Sequence, residues 1–201
     1  MMVLRSSPAS PFGRKVKIAA KVLGLFDRIR VEAADPTNPA DSIRQQNPLG
    51  KIPALILEDG AALFDSRVIA EFLDQQAGGG KIFPRDSRRW AVLTQAALAD
   101  GIMDAALLLR YEQILRAETG RNPGWIGNQQ SKIDRGLGVL EAKPPGLSSP
   151  PDIGQIGIAC ALGYLDLRFE GKWRTAHPKL VAWLDAFAAE VPAFAETKAI
   201  V

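Results

Sequence analysis

The sequence predicts a two-domain α+β chain, with an α/β unit over residues 1–79 and an all-helical bundle over residues 85–201. Three observations predict it. Short apolar runs of strand length fall in the first third of the chain, with helical patterns between them. The triplet Gly78-Gly79-Gly80, followed by Ile82-Phe83-Pro84, reads as a flexible punctuation. Beyond it every apolar pattern recurs at helical spacing.

Met2-Val3-Leu4 suits a buried first strand, and Arg5 to Ala9 a loop. Ser10 followed by Pro11 is a helix N-cap with proline at the first helical position. Val16, Ile18, Ala19, Val22 and Leu23 carry that helix, and Gly24 ends it. Ile29 and Val31 alternate with Arg28, Arg30 and Glu32, a period of two that suits an edge strand. Asp35 to Gln46, with Pro36 and Pro39, is a loop with room for one short helix. Asn47-Pro48-Leu49-Gly50 is a turn signal. Glu58-Asp59-Gly60 joins the apolar runs Ile52 to Leu57 and Ala61 to Phe64 as a hairpin. Asp65-Ser66 then caps a helix carrying Val68, Ile69, Phe72 and Leu73. This β-α-β, β-β-α order is that of a thioredoxin-like fold.

In the second half, Asp86 or Ser87 caps a long helix from Arg88 to Glu118, with a kink expected near Gly101. A second helix spans Pro123 to Ala142, and KPPGLSSPP is a loop. Asp152 with Gln155 three residues on forms a capping box for an apolar helix through Leu167. The last helix starts after His177-Pro178, covers Leu180, Val181, Leu184 and Phe187, and ends at Pro192. Trp90, Trp125, Trp173 and Trp183 read as packing residues, Cys160 as a small buried apolar residue, and His177 as a turn or cap residue.

The stretch from Asn47 to Leu73 organises the rest. Pro53 removes a ladder donor, so it belongs at a strand start, an edge or a bulge. Placed there, it leaves the backbone N–H and C=O of Ile52 free for an extended ligand. Asp65 and Ser66 set a carboxylate and a hydroxyl at the positive end of a helix. As caps they need no ligand; with the Ile52 edge they could hold a small peptide bearing an amine and carboxylates. In order, Asn47, Pro48, Gly50, Lys51, Ile52, Pro53, Leu55, Asp65, Ser66, Ile69 and Leu73 resemble the glutathione-binding half of cytosolic glutathione S-transferases. The phrases ADGIMDAAL and IACALGYLDLRF resemble bacterial members of that family, so the resemblance covers nearly the whole chain. It implies glutathione as co-substrate, held by Phe12, Lys51, Ile52, Pro53, Asp65 and Ser66, with a cis bond before Pro53. Lys51 either meets the glycine carboxylate or is a solvated loop lysine. The resemblance further implies a homodimer and a co-substrate pocket supplied by the second domain. The family usually has an acidic residue where Gln155 stands.

Redox members of the thioredoxin fold carry Cys-x-x-Cys between the first strand and the first helix; this chain has Ser10-Pro11-Phe12-Gly13. Disulfide exchange through a protein cysteine is excluded at that place. What remains is a hydroxyl at the positive end of a helix, near Arg14, Lys15 and Lys17 in sequence, which favours an anion. A free thiol has a pKa of about 8.5, so only a few per cent is thiolate at neutral pH. A hydroxyl donor and a helix terminus lower that pKa. Ser10 is therefore the expected catalytic residue, donating to the glutathione thiolate. By resemblance, theta- and zeta-like members use a serine this way, and omega-like members have cysteine at this position. Ser10 also reads as a plain N-cap, and Ser6 and Ser7 compete with it. Asp100, Asp104, Leu107 and Tyr111 are candidate electrophile-site residues, with Arg110 a further neighbour. Asp100 and Asp104 lie four apart and share a helix face. That face could line the interdomain cleft, line a dimer surface or meet water.

Of the 201 residues 47% are hydrophobic, enough for a sizeable core. The 25 Lys and Arg against 22 Asp and Glu leave a net charge of +3, interspersed and without a basic stripe, which argues against nucleic acid. One cysteine and one histidine argue against disulfide frameworks and against a metal site. The N-terminus lacks a signal peptide's apolar core, and no run of about 18 apolar residues predicts a membrane span. The expectation is a cytoplasmic glutathione transferase that detoxifies small electrophiles. A non-catalytic scaffold of the same fold is the rival, followed by a glutathione-dependent isomerase, dehalogenase or reductase. A scaffold would often have lost the Asp-Ser pair or the Lys-x-Pro turn, and this chain keeps both.

Overall fold

The computed structural model describes residues 1–199. Its first part is a four-stranded sheet in the order β2-β1-β3-β4. The strands are β1 (Met2–Ser6), β2 (Ile29–Ala33), β3 (Ala54–Ile56) and β4 (Ala62–Leu63). Helix α1 (Pro11–Val22) makes the crossover between the parallel pair β1 and β2. β3 runs antiparallel to both β1 and β4. The alternating Arg28–Glu32 segment takes the edge position its pattern implies. Val31 is nevertheless exposed, because the small cluster on the sheet's other face stops at Ala34, Ile43 and Ala54. Ile43 comes from the short α2 (Ile43–Gln46), held down by the buried Arg5, whose guanidinium donates to Gln46, Ser42, Asp41 and the Ala33 carbonyl. Leu4, Leu55, Ile69 and Leu73 bury the main face under α1 and α3 (Ser66–Gln76).

The glycine triplet is not the flexible punctuation its composition suggests. The carboxylate of Asp74, 3% exposed, accepts from the backbone N–H groups of Gly80, Lys81 and Ile82 at 2.7, 3.0 and 2.9 Å. The three glycines all take positive φ, which lets the chain wrap tightly around that acid.

The helical part comprises α4 (Arg89–Leu115), α5 (Pro123–Ala142), α6 (Ile153–Phe169), α7 (Pro178–Glu190) and α8 (Pro192–Glu196). α4 passes uninterrupted through Gly101 and stops at Leu115, short of the expected Glu118. By length and composition α4 could cross a membrane; here α5 and α6 bury one side of it. Pro192 does end α7, but it also opens α8 as its first residue, so α7 is not the last helix. α6 is buried almost throughout and forms the axis of the bundle, with Cys160 fully enclosed. Its capping box is complete: the Gln155 N–H donates to Asp152 Oδ1 at 3.0 Å, and the Asp152 N–H to Gln155 Oε1 at 3.2 Å. The Gln155 amide also donates to the Gly146 carbonyl, a bond that a carboxylate could not make. Trp173 and Trp183 pack in the core, whereas Trp90 is 75% exposed on the first turn of α4, against the expectation. His177 does turn work, with Nδ1 2.7 Å from the Trp173 carbonyl.

Candidate functional site

Three loops converge at one end of the sheet, where β1 ends at Ser6, β3 starts at Ala54 and β4 ends at Leu63. The first to consider is the turn before β3. Asn47 is buried, and its side chain spans its own turn, donating to the Lys51 carbonyl at 2.9 Å and accepting from the Leu49 N–H at 3.0 Å. Gly50 takes φ 61 within that turn. The Ile52–Pro53 bond is cis, and Pro53 sits directly ahead of β3. Among the described residues neither the N–H nor the C=O of Ile52 has an intramolecular partner, so both are available to a ligand strand. Lys51 is exposed beside them.

The second loop follows β4. Asp65 is the exposed N-cap of α3 and accepts from the Arg67 N–H at 2.9 Å. Ser66 is buried, and among the described residues its hydroxyl makes no hydrogen bond. Arg67 reaches from the same turn to Asp100 of α4, with Nε 2.7 Å from Oδ2. That bond raises the Arg67 pKa.

The third loop joins β1 to α1. Ser10 is the N-cap of α1; its Oγ accepts from the Gly13 N–H at 3.0 Å, which leaves the hydroxyl proton to donate outward. The N–H of Phe12, in the first turn of that helix, has no acceptor among the described residues. The Phe12 ring is half-buried, with the Lys15 ammonium 5.9 Å from its centre. Ser6 is 1% exposed and wedged under the helix: a Cβ at Gly13 would lie 2.0 Å from its Oγ. Ser7 is half-buried, and its carbonyl accepts from the Ser10 N–H and the Ser6 hydroxyl. Geometry thus sets Ser6 aside and keeps Ser10, 9% exposed, and the half-buried Ser7 as the hydroxyls of the loop.

The charges near Ser10 in sequence do not serve it in space. Lys15 is 1% exposed and pairs with Asp100, its Nζ 2.6 Å from Oδ1. Arg14 turns to the C-terminal segment, donating to the Phe194 carbonyl at 2.6 Å and lying 4.0 Å over the Phe194 ring. Its other amino group fills the space over Gly163, where a Cβ would lie 2.5 Å away. Asp100 is accordingly corrected: it does not project into a cleft as an electrophile-site group. Both its oxygens are committed, one to the buried Lys15 of α1 and the other to the exposed Arg67 of α3. Asp104, one turn on, is exposed, with Arg67, Lys51, Asp65 and Asp100 as its charged neighbours; desolvation raises its pKa. Leu107 is half-buried and Tyr111 exposed further along α4. Sequence reasoning missed Arg67 and Lys15 as partners, since nothing in their spacing distinguishes a paired cation from a solvated one. Among the described residues no group of His, Cys, Asp and Glu could hold a metal ion.

Residues 9–76 match the family model for the glutathione S-transferase N-terminal domain, and residues 112–186 match that for the C-terminal domain. The chain belongs to the glutathione S-transferase family. It is 37% identical over 185 residues to the GST-like protein YibF of Escherichia coli (strain K12), with 90% of each chain covered. A crystal structure of a glutathione transferase family member from Pseudomonas fluorescens Pf-5, with bound glutathione, superposes over the full length of both chains at TM-score 0.92 and 45% identity. A second Pf-5 structure, with bound S-(propanoic acid)-glutathione, is also 45% identical over both full chains, at TM-score 0.88. The transferase-family motif from Asn47 to Leu73 and the Ser10 loop fall within the matched N-terminal region. Asp100, Asp104, Leu107 and Tyr111 lie between the two matched regions.

Proposed function

We propose that this protein is a glutathione transferase, in which a serine at the start of α1 stabilises the glutathione thiolate for attack on a small electrophile. One observation carries the reading: an unpaired Ile52 backbone, an Asp65–Ser66 helix start and the Ser10 hydroxyl all meet at the same end of the sheet. Ile52 pairs with the ligand backbone just ahead of Pro53. Asp65 takes the γ-glutamyl amine, and the Ser66 hydroxyl and the α3 N-terminus take its carboxylate. Lys51 faces the glycine carboxylate, and Phe12 flanks the cysteinyl part.

The sulfur then lies at the N-terminus of α1. The Ser10 hydroxyl and the Phe12 N–H donate to it, and the helix end adds partial positive charge. Thiolate becomes the larger fraction near neutral pH, and its lone pair attacks the electrophilic carbon. The glutathione thioether bound by the 45% identical Pf-5 relative supports sulfur transfer over a scaffold role. By resemblance the homodimer would pack the first domain of one subunit against the second domain of its partner.

The test combines glutathione binding by calorimetry with conjugation of 1-chloro-2,4-dinitrobenzene. Ser10→Ala is expected to lower kcat/KM by about 100-fold, the lower end of the range for loss of one oxyanion donor. Glutathione affinity should hold within about threefold, and Ser7→Ala should change little. Full activity in Ser10→Ala would move the role to Ser7 or to the backbone. Binding without turnover across several electrophiles would leave the scaffold reading.

A further inference from the structure

We propose that the electrophile this enzyme accepts carries a carboxylate, recognised by Arg110 and Arg168 together with the hydroxyls of Tyr111 and Tyr164. The inference rests on the transferase reading and adds the substrate class to it.

The placement follows from helix register. Asp104 and Tyr111 are seven residues apart on α4, so they share a face about 10 Å apart along the helix. Asp104 sits among the charges of the glutathione end of the cleft, so Tyr111 marks its far end. α6 lies along α4, with Gly154 against Gln95 and Gly157 against Ala99. Continuing that register brings Tyr164 and Arg168 level with the last turns of α4. The Tyr164 hydroxyl has Arg168, Arg110 and Tyr111 as its charged and polar neighbours. Gly163, one residue before Tyr164, packs on Arg14 of the helix that carries Ser10. The cluster therefore stands beside the helix on which the thiolate is held.

Among the described residues both arginines lack a counter-charge. Among the described residues Arg110 and Arg168 are half-buried and neither forms an ion pair; Arg168 reaches the Tyr164 hydroxyl, and its Nε is buried with no acceptor. The buried Arg5 and Arg14 are matched by Asp41 and the Phe194 carbonyl, and the half-buried Arg89, Arg121 and Arg174 by Glu71, the Gln113 carbonyl and Asp166. The acids that could have served the pair are committed elsewhere. Glu112 holds Arg116 and the Asn122 N–H. Asp166 holds Arg174 and the Trp173 indole. A guanidinium cannot relieve burial by losing its proton, so two unmatched ones at the end of a cleft favour an anion arriving with the substrate. Their fork geometry and the two phenol donors suit a carboxylate. In a representative reaction, the thiolate attacks the chlorine-bearing carbon of 4-chloro-3-nitrobenzoate. The C–S bond forms, the C–Cl bond breaks, chloride leaves, and the thiol proton goes to solvent.

The test needs no turnover. Calorimetry compares S-(4-carboxybenzyl)glutathione with S-(4-methylbenzyl)glutathione, with free glutathione as the control. The wild type should bind the acid about tenfold more tightly than its methyl counterpart, or about 1.4 kcal/mol. That ratio should shrink as salt rises, because the added contact is an ion pair. Arg168→Met and Arg110→Met should bring the ratio toward one while the methyl conjugate and glutathione bind as before. A ratio near one in the wild type, or one untouched by both variants, overturns the proposal and leaves the transferase reading standing. If glutathione and both conjugates fail to bind, the transferase reading falls and takes this proposal with it. The salt series uses the unaltered protein, so a variant that misfolds does not remove the test.

Discussion

Removing the Asp100 carboxylate should damage the fold far more than its place in an ordinary-looking helix suggests. Lys15 and Asp100 are each 1% exposed, with their charged atoms 2.6 Å apart. Asp100→Ala strands the ammonium of Lys15 in a dry interface, and losing one member of a buried pair costs about 3–5 kcal/mol. Arg67 adds little to that sum, since its side chain is 59% exposed and water takes over its charge. For a chain of this size each kcal/mol lowers Tm by about 2–4 °C, so a drop of roughly 6–20 °C is expected. Scanning calorimetry with urea unfolding as a second probe measures it. The double variant Lys15→Met with Asp100→Leu replaces both charges by apolar groups and should return to within about 1 kcal/mol of the wild type. A cost for Asp100→Ala below about 1 kcal/mol, or a double variant no better than the single, would refute the reasoning.

Other outcomes follow from close contacts and burial. Gly13→Ala sets a methyl 2.0 Å from the Ser6 hydroxyl, and overpacking of this kind should cost about 1–3 kcal/mol in urea unfolding. Adding Ser6→Ala should recover part of that loss, which separates the clash from a general effect on the helix. Burial pushes the Cys160 thiol up to about 11, so the native protein should resist iodoacetamide at pH 8 and react once unfolded. The unfolded thiol ionises first, so Cys160 favours the folded state less as pH climbs from about 9 to 11. The stability difference between the wild type and Cys160→Ala should fall across that window; a constant difference would contradict the burial.

The N-terminal half was legible because its signals are local. Pro53 and Gly60 constrain their own backbone, Asp65 caps its own helix, and the edge strand shows a period of two at Ile29 and Val31. The buried Asn47 belongs to the same class, since its bonds stay within four residues. What escaped were pairings that the chain makes over long separations. Asp100 meets Lys15 across 85 residues and Arg67 across 33, and no spacing rule announces either. Arg14 and Lys15 look like two more charges beside Ser10, yet one side chain runs to Phe194 and the other under α4. Composition misled once: three glycines suggest slack, and the acid that tightens them, Asp74, is an unremarked residue near the end of α3. The electrophile pocket was the least legible part, because helix faces that merely line a space carry no turn or cap signature.

The self-bridged turn at Asn47 has a consequence for recognition. Its amide closes the 47–51 segment against its own backbone, so the Ile52 edge holds its shape without any guest. Loop ordering is then a debt settled during folding, and an incoming peptide owes only its own immobilisation. Association there should proceed at the pace of encounter, without a slow conformational phase trailing it.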